Sequence, residues 1–135
     1  MIVLDASVVV DLLLNLPPYP RLIAQRITEA SPALFAPYLL DAEVAQVLCR
    51  YTLRGQISPE RASLALQDLR DLPIHRYPHL PLLERAFELR DNATIYDALY
   101  LVLAESIGAT LLTRDAALAS LPGVDAEVEV VGESV

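Results

Sequence analysis

Four acidic side chains lie at the ends of short apolar segments or at the starts of helical ones. Asp5 ends the first apolar segment, and Asp115 lies two residues beyond a later one. Glu43 and Asp97 fall in the first turn of two segments with helical periodicity. Carboxylate oxygens are the donors that Mg²⁺ and Mn²⁺ prefer. Together the four residues predict a divalent-cation site, and a cation that also binds phosphate suits phosphodiester chemistry.

The periodicity of apolar residues predicts the elements that have to position these acids. Short runs rich in branched side chains predict buried strands, and apolar spacings of three and four residues predict helices. Strands that alternate with helices indicate an α/β fold with a short, mainly parallel central sheet of four or five strands flanked by helices. The predicted strands are 2–5, 33–37, 109–113 and 128–131, with 74–77 as an edge strand or linker; the predicted helices are 6–16, 20–30, 40 to a stop at Gly55, 58–72, 81–91, 95–107 and 114–121.

This arrangement predicts that the four acids meet at one edge of the sheet. Ligands of open α/β sheets bind at the carboxyl ends of the strands, where Asp5 and Asp115 fall. The helix that carries Asp97 runs back into the strand at 109–113, so its N-terminus lies beside the carboxyl end of that strand. Two unit charges 4 Å apart repel by about 4 kcal/mol at an effective dielectric constant near 20. A cluster of four carboxylates therefore needs a cation.

The overall composition excludes several classes of phosphate-handling protein. The 135 residues carry 18 acidic and 10 basic side chains, for a net charge of −8, and all ten basic residues are arginine. Without lysine there is no Walker A loop, no Schiff-base lysine and no response-regulator receiver site. The four glycines are too scattered for a Gly-x-Gly-x-x-Gly loop. The acidity also argues against nucleic acid held by bulk positive charge.

Four segments carry a resemblance to a known family. They are IVLDASVVVDLL at 2–13, LLDAEVAQVL at 39–48, TIYDALYLVLAE at 94–105 and LLTRDAAL at 111–118. Over nearly its whole length the chain resembles the PIN-domain ribonucleases, and most closely the VapC-type toxins of toxin–antitoxin pairs. The resemblance implies a single PIN-like domain over residues 1–135. It also carries over the family's acidic residues and the hydroxyls that support them, namely Asp5, Glu43, Asp97 and Asp115 with Ser7 and Thr113.

The resemblance implies a metal-dependent endoribonuclease that uses Mg²⁺ or Mn²⁺. By analogy, Asp5, Asp97 and Asp115 would hold one or two ions, and Glu43 would bind directly or through water. Hydrolysis would leave a 5′-phosphate and a 3′-hydroxyl. The implied partners are an RNA substrate, a cognate antitoxin and a second copy in a homodimer, with no membrane and no direct DNA binding without the antitoxin. The proposed contact surfaces are 8–16, 22–27 and 44–53.

Two other functions remain open at this stage. A phosphatase of the haloacid-dehalogenase kind needs Asp-x-Asp after the first strand and a later lysine, whereas this chain has Asp-Ala-Ser at 5–7 and no lysine. A catalytically silent PIN-like protein would serve only as a binding partner. The intact set of four acids argues against that loss of activity.

Other polar residues have simpler interpretations. Asp11 is expected to be solvated and Asp41 to cap a helix. Glu105 is expected on an exposed helix edge and Cys49 among core residues. Tyr96 and Tyr100 flank Asp97, where they either stack a base or are half-buried tyrosines, and Arg50, Arg54 and Arg114 are candidates to touch phosphates, although a solvated helix face explains the first two equally well.

The sequence also bears on the compartment. The single cysteine cannot form an internal disulfide, which indicates a reducing environment. Asp5 and Asp11 interrupt the apolar N-terminus, so neither a signal peptide nor an 18-residue membrane span is expected there. The expected location is the cytoplasm.

Overall fold

The computed structural model describes residues 1–14, 23 and 32–132. The predicted helix at 20–30 and the end of the one at 6–16 lie outside these residues, apart from Ile23. The described part contains five strands and five α-helices, with two short 3-10 helices at Leu80–Leu82 and Ala116–Ser120. The strands are β1 (Ile2–Leu4), β2 (Leu34–Pro37), β3 (Ile74–Tyr77), β4 (Thr110–Thr113) and β5 (Glu127–Val130); the helices are α1 (Ala6–Leu14), α2 (Leu39–Leu53), α3 (Pro59–Asp71), α4 (Leu83–Glu88) and α5 (Ile95–Ile107).

The five strands form one sheet in the order β3-β2-β1-β4-β5, and every neighbouring pair is parallel. The α/β class and the short parallel sheet predicted from the sequence are confirmed, and 74–77 is an edge strand rather than a linker. β1 lies at the centre, with Ile2 opposite both Leu34 and Thr110. Because all strands run the same way, their carboxyl ends share one edge of the sheet.

Burial explains why β1 is central. All three of its residues are buried, as continuous apolar strands are when both faces of a parallel sheet are covered. Helix α5 packs against β1, β2 and β4, while α1 packs against β4, α2 and α3. A second apolar cluster joins α4 to α5 through five buried residues: Ala86, Leu89, Ala98, Leu99 and Val102.

Local signals set the ends of the helices. Ser58 accepts a hydrogen bond from Arg61 N (3.0 Å), with Pro59 in the first turn, so α3 begins where the sequence predicts. Thr94 caps α5 in the same way, through Asp97 N (3.1 Å). Gly108 ends α5 with φ 66°, a left-handed conformation that glycine adopts without a Cβ penalty.

Asp41 does not cap α2, and that expectation is wrong. The helix begins at Leu39, so Asp41 lies inside its first turn. Its carboxylate instead accepts two hydrogen bonds from Arg76, from Nε (2.8 Å) and Nη2 (2.9 Å). This bidentate pair ties α2 to β3, the edge strand.

Two further expectations about surface and core are wrong. Cys49 is exposed rather than packed in the core, because it points away from the buried stripe of Val44 and Leu48 on the same helix. In the proposed contact surface at 8–16, Val8, Val9 and Val10 are buried within this chain. Asp11, Leu13 and Leu14 of this segment are also buried, and residues 15–16 lie outside the described residues. No helix in the described part combines the length and apolar character needed to cross a membrane.

Glu105 is not the exposed edge residue that its helix position predicts. Its carboxylate accepts hydrogen bonds from Arg85 Nε (2.9 Å) and Nη2 (3.1 Å) and from Asp125 N (2.8 Å). Arg85 also donates to the carbonyl of Gly123 (2.6 Å). The pair therefore connects α4, α5 and the turn before β5. Hydrogen bonds from Arg85 are the main cause that holds the pKa of Glu105 below its ordinary value.

We expect Glu105→Gln to lower the free energy of unfolding by about 1–2 kcal/mol at neutral pH. A lowered folded-state pKa stabilises the protein above the ordinary glutamate pKa, and this contribution is lost as pH falls through the folded value. The difference between variant and wild type should therefore shrink in acid. Denaturant unfolding at several pH values measures it, with Glu88→Gln, a 63% exposed neighbour of Arg85, as the control. An equal loss of unfolding free energy in Glu105→Gln and Glu88→Gln would contradict a stabilising role of the Arg85–Glu105 pair.

Candidate active site

The structure places the four acids at the carboxyl edge of the sheet. Asp5 directly follows β1, and Asp115 lies two residues after β4. Asp97 is in the first turn of α5. Glu43 is the fifth residue of α2 and so lies one residue beyond the predicted first turn, because the helix begins at Leu39 rather than Leu40. Electrostatic interaction links Asp5 with each of the other three acids.

Asp5 is the buried member of the group, with 8% of its surface exposed. Two hydroxyls donate to its Oδ2 atom, Thr113 Oγ1 at 2.5 Å and Ser7 Oγ at 3.1 Å. Burial raises the pKa of Asp5, the two hydroxyl bonds and the Ala6 backbone oppose that rise, and the nearby Asp115 charge adds to it. Ionisation is therefore costly at this position, and the two hydroxyls offset part of that cost.

The same two hydroxyls connect Asp5 to the loop that carries Asp115. Thr113 Oγ1 accepts from Asp115 N at 3.1 Å, and Ser7 Oγ accepts from Arg114 N at 3.2 Å. Asp115 in turn caps the short 3-10 helix, because its Oδ1 atom accepts a hydrogen bond from Ala117 N (3.0 Å). Thr113 is fully buried, so its hydroxyl has no water to replace these partners. The two hydroxyls therefore set the position of one acid relative to the other.

We expect Thr113→Val to lower the metal-dependent RNA cleavage that the resemblance implies by about 10–100-fold, the usual effect of removing a group that orients a metal ligand. Valine has nearly the shape of threonine, so the change removes two hydrogen bonds without opening a cavity. Thr113→Ser keeps the hydroxyl and should retain most of the activity. Cleavage rates of the two variants on one RNA measure the difference, and equal losses would show that the methyl group rather than the hydroxyl matters.

Glu43 is held by a tyrosine. The hydroxyl of Tyr100 donates to Glu43 Oε1 at 2.6 Å, which leaves Oε2 available. Burial raises the pKa of Glu43, the Tyr100 bond lowers it, and Asp5 and Asp97 raise it further. Burial and then Glu43 raise the pKa of Tyr100, which keeps its proton. Tyr100 is only 1% exposed, so it cannot stack on a base.

Asp97 completes the cluster from α5. Burial is the main cause that raises its pKa, the charges of Asp5 and Asp115 add to that rise, and the Thr94 side chain opposes it. Tyr100 lies three residues further along α5, on the same face of the helix. Sequence reasoning missed the role of Tyr100 as the partner of Glu43, and this spacing from Asp97 is the signal that could have found it.

The arrangement fits a hard divalent cation. All donors are carboxylate oxygens, and burial, with a further contribution from the charges of neighbouring acids, raises the pKa of Asp5, Glu43 and Asp97. A cation would reverse the contribution of these charges. Within the described ranges, no three acidic, histidine or cysteine side chains stand close enough to form a ready-made ligand group. The acids are thus near neighbours rather than a closed cage, as repelling carboxylates should be.

Asp11 is buried rather than solvated, and sequence reasoning missed its partner. Its side chain is 2% exposed, and Oδ2 lies 2.6 Å from Arg114 Nη1, whose side chain is 35% exposed. Burial raises the pKa of Asp11, and Arg114 opposes that rise. Apolar residues surround Asp11 in sequence on a helix that is buried nearly all round, a pattern that signals a paired charge. The pair anchors the residue between Thr113 and Asp115 to α1.

Comparisons with known proteins agree with this geometry. A family profile described as PIN domain matches residues 2–124. The chain is 48% identical over 97 residues to Ribonuclease VapC1 of Mycobacterium tuberculosis, covering 71% of this chain and 73% of the relative. It is 36% identical over 131 residues to Ribonuclease VapC12 of that organism, covering 97% and 99%. The crystal structure of VapBC2 from Rickettsia felis, bound to a promoter DNA fragment, shares the fold with a TM-score of 0.69 at 14% identity, covering 97% of this chain and 99% of that one.

Proposed function

The chain belongs to the PIN-domain family, and we propose that it is a metal-dependent endoribonuclease, the toxin of a toxin–antitoxin pair. One observation carries the proposal. Four acids from separate segments lie at the carboxyl edge of the sheet, where Asp5, which interacts electrostatically with the other three, is fixed by two hydroxyls. The relatives named as ribonucleases support RNA as the substrate.

In this proposal Asp5, Asp97 and Asp115 are the residues that would hold one or two Mg²⁺ or Mn²⁺ ions, with Glu43 binding directly or through water. When bound, the ion lowers the pKa of a coordinated water and neutralises the charge that develops on the phosphate. Ser7 and Thr113 both bond Oδ2 of Asp5, so neither takes up Oδ1. Tyr100 likewise bonds Oε1 of Glu43 and fixes its rotamer.

The reaction is hydrolysis of a phosphodiester bond. A water oxygen bonds to phosphorus in line as the bond from phosphorus to the 3′ oxygen breaks. The 3′ oxygen takes up a proton, and the products are a 5′-phosphate and a 3′-hydroxyl.

The proposal also includes partners and a location. An antitoxin that covers the acidic edge is supported by structural neighbours described as VapBC complexes, and a homodimer and a cytoplasmic location are further parts of the proposal. We also propose that residues 1–135 form one domain and that the chain alone does not bind DNA. Exposed Leu53, at 83%, keeps the surface at 44–53 a candidate for a protein contact.

The two rival functions predict different products. A phosphatase would release inorganic phosphate from a small monoester, and a silent member would cleave nothing. Purified chain without its partner, incubated with structured RNA and Mn²⁺ with and without chelator, separates the three. Cleavage to 5′-phosphorylated fragments that stops on chelation is the expected result. Release of phosphate from a monoester with intact RNA, or no turnover at all, would overturn the proposal.

A further inference from the structure

A cavity of about 420 Å³ opens beside the acidic cluster. Its longest wall is one face of α2, with residues at 39, 42, 43, 46, 47 and 50, a continuous run of helical spacings. Ala6 of α1 and Tyr96 at the start of α5 complete the lining. Glu43 belongs to both the cavity and the acidic cluster. A ligand in this cavity is therefore in reach of the proposed reaction centre.

Tyr96 provides an aromatic surface next to that centre. It is 60% exposed, although it immediately precedes Asp97 and the buried part of α5. Tyr100, one turn later, is buried and hydrogen-bonded to Glu43, so the two tyrosines have different environments. An exposed ring in a cleft with apolar walls offers a face on which a planar ring can stack.

The two polar side chains of the cavity lie further along α2. Gln46 carries an amide that both donates and accepts hydrogen bonds, and Arg50 carries a cation. Both are exposed, and neither side chain forms a hydrogen bond or ion pair within the part of the chain that the structure describes. Arg50 lies seven residues beyond Glu43, about 10 Å along the helix axis. The cavity thus has an acidic end and a basic end.

We propose that this cavity binds the base of a nucleotide next to the cleaved phosphodiester. The base stacks on Tyr96, the Gln46 amide reads its edge, and Arg50 binds the next phosphate along the strand. The inference rests on the proposed function and adds a determinant of cleavage-site preference. A nucleotide fits better than an apolar peptide segment because the site combines an exposed ring, an amide and a cation, with the acidic cluster at its other end.

The direct test is titration with nucleoside 5′-monophosphates in Mg²⁺, followed by NMR. These probes contain no phosphodiester bond, so the wild-type chain binds them without turnover. We expect saturable shifts of the Gln46 side-chain amide and of the Val47 backbone amide, stronger for some bases than for others. Ribose 5-phosphate, which lacks a base, should not produce them. Equal shifts with ribose 5-phosphate, or none with any nucleotide, would overturn the inference, as would exclusive binding of a partner protein's apolar segment there.

Substitutions separate the stacking surface from general structure. Tyr96→Leu should weaken nucleotide binding by about 5- to 150-fold, the range for loss of one base–aromatic stack. Tyr96→Phe keeps the ring and should bind like wild type. Phe87→Leu removes a ring of similar exposure, 57%, that is not part of the cavity, and should have no effect. Equal binding by Tyr96→Leu and Phe87→Leu would contradict stacking on Tyr96.

Cleavage mapping distinguishes failure of this inference from failure of the proposed function. If RNA is cleaved and the base preference beside the cut is the same in Tyr96→Leu as in wild type, the inference falls and the ribonuclease stands. If nucleotides bind base-selectively but no RNA is cleaved, the ribonuclease falls and the base site stands. A flattened base preference in Tyr96→Leu, retained in Tyr96→Phe, supports both.

Discussion

Asp5→Asn is expected to lower metal-dependent RNA cleavage by about a thousand-fold or more while leaving the fold intact. Loss of the carboxylate removes a proposed metal ligand at the point where the phosphate charge would develop, and such an ion contributes several kcal/mol to the transition state. Asp97→Asn should act in the same way. Single-turnover cleavage of one RNA under Mn²⁺ measures the loss. Undiminished metal-dependent cleavage by either variant would contradict the assignment.

The same substitution should not destabilise the protein. Burial and the Asp115 charge raise the pKa of Asp5, so the folded state holds this charge at a cost. An asparagine oxygen still accepts hydrogen bonds from Ser7 or Thr113. The free energy of unfolding should therefore be unchanged or higher, by about 0.5–2 kcal/mol, as is common when a functional charge is removed. Asp68→Asn, which neutralises an exposed acid on α3, is the matched control for both measurements.

Arg114→Met is expected to lower the free energy of unfolding by about 3 kcal/mol, at the lower end of the range for breaking a buried ion pair. The change leaves the Asp11 carboxylate, 2% exposed, without its cation, whereas methionine keeps the apolar stem. Burial already raises the pKa of Asp11, and loss of Arg114 raises it further. Since protonation removes the penalty, the loss of stability should be largest at neutral pH and should recover as pH falls through the raised value.

Substitution of Asp11, the other member of the ion pair, provides the control. Asp11→Asn leaves a charged arginine that is already 35% exposed, so it should cost less than Arg114→Met. The double variant Asp11→Leu with Arg114→Met removes the buried charge altogether and should regain part of the loss. Urea unfolding of the wild type, the two single variants and the double variant at neutral and acid pH measures these differences. Equal losses in the two single variants would contradict a buried, unpaired charge as the cause.

The elements that position the site could be predicted because their signals are local. Three apolar residues before Asp5 predict a buried strand, and Thr94 and Gly108 mark the ends of α5. The placement of Asp97 beside β4 then follows from the direction of α5. Register errors were small, as with Glu43, because α2 begins one residue earlier than Leu40. The resemblance, rather than these patterns, supplied the individual roles.

Pairings between distant segments could not be predicted in this way. Asp41 meets Arg76 and Asp11 meets Arg114 across 35 and 103 positions, and nothing in the local pattern names either partner. The exposure of Cys49 could not be predicted for a different reason. An apolar side chain on an amphipathic helix can lie outside the face that packs against the core, as Cys49 does. These contacts depend on how whole elements pack, and they determine which charges are buried.

The acidic charge of the chain is compatible with an RNA substrate once its distribution is known. The acids of the cluster occupy the sheet edge where a bound cation would reverse the local sign. Arg50 supplies positive charge at the far end of the adjoining cavity. The remaining acidic excess should keep binding weak in the absence of metal and makes it steeply dependent on the ion. The net negative charge excludes RNA binding by bulk positive charge, but it is compatible with RNA binding through a metal ion and a few contacts.

The central claim is that the acids at the sheet edge hold a catalytic divalent cation. Crystals grown in Mn²⁺, at a concentration that supports RNA cleavage, test it most directly through anomalous difference density. A peak is expected between Asp5, Asp97 and Asp115, and it should disappear in Asp5→Asn. No anomalous peak at these three carboxylates at that Mn²⁺ concentration, or a peak only elsewhere on the molecule, would contradict a catalytic cation at the sheet edge.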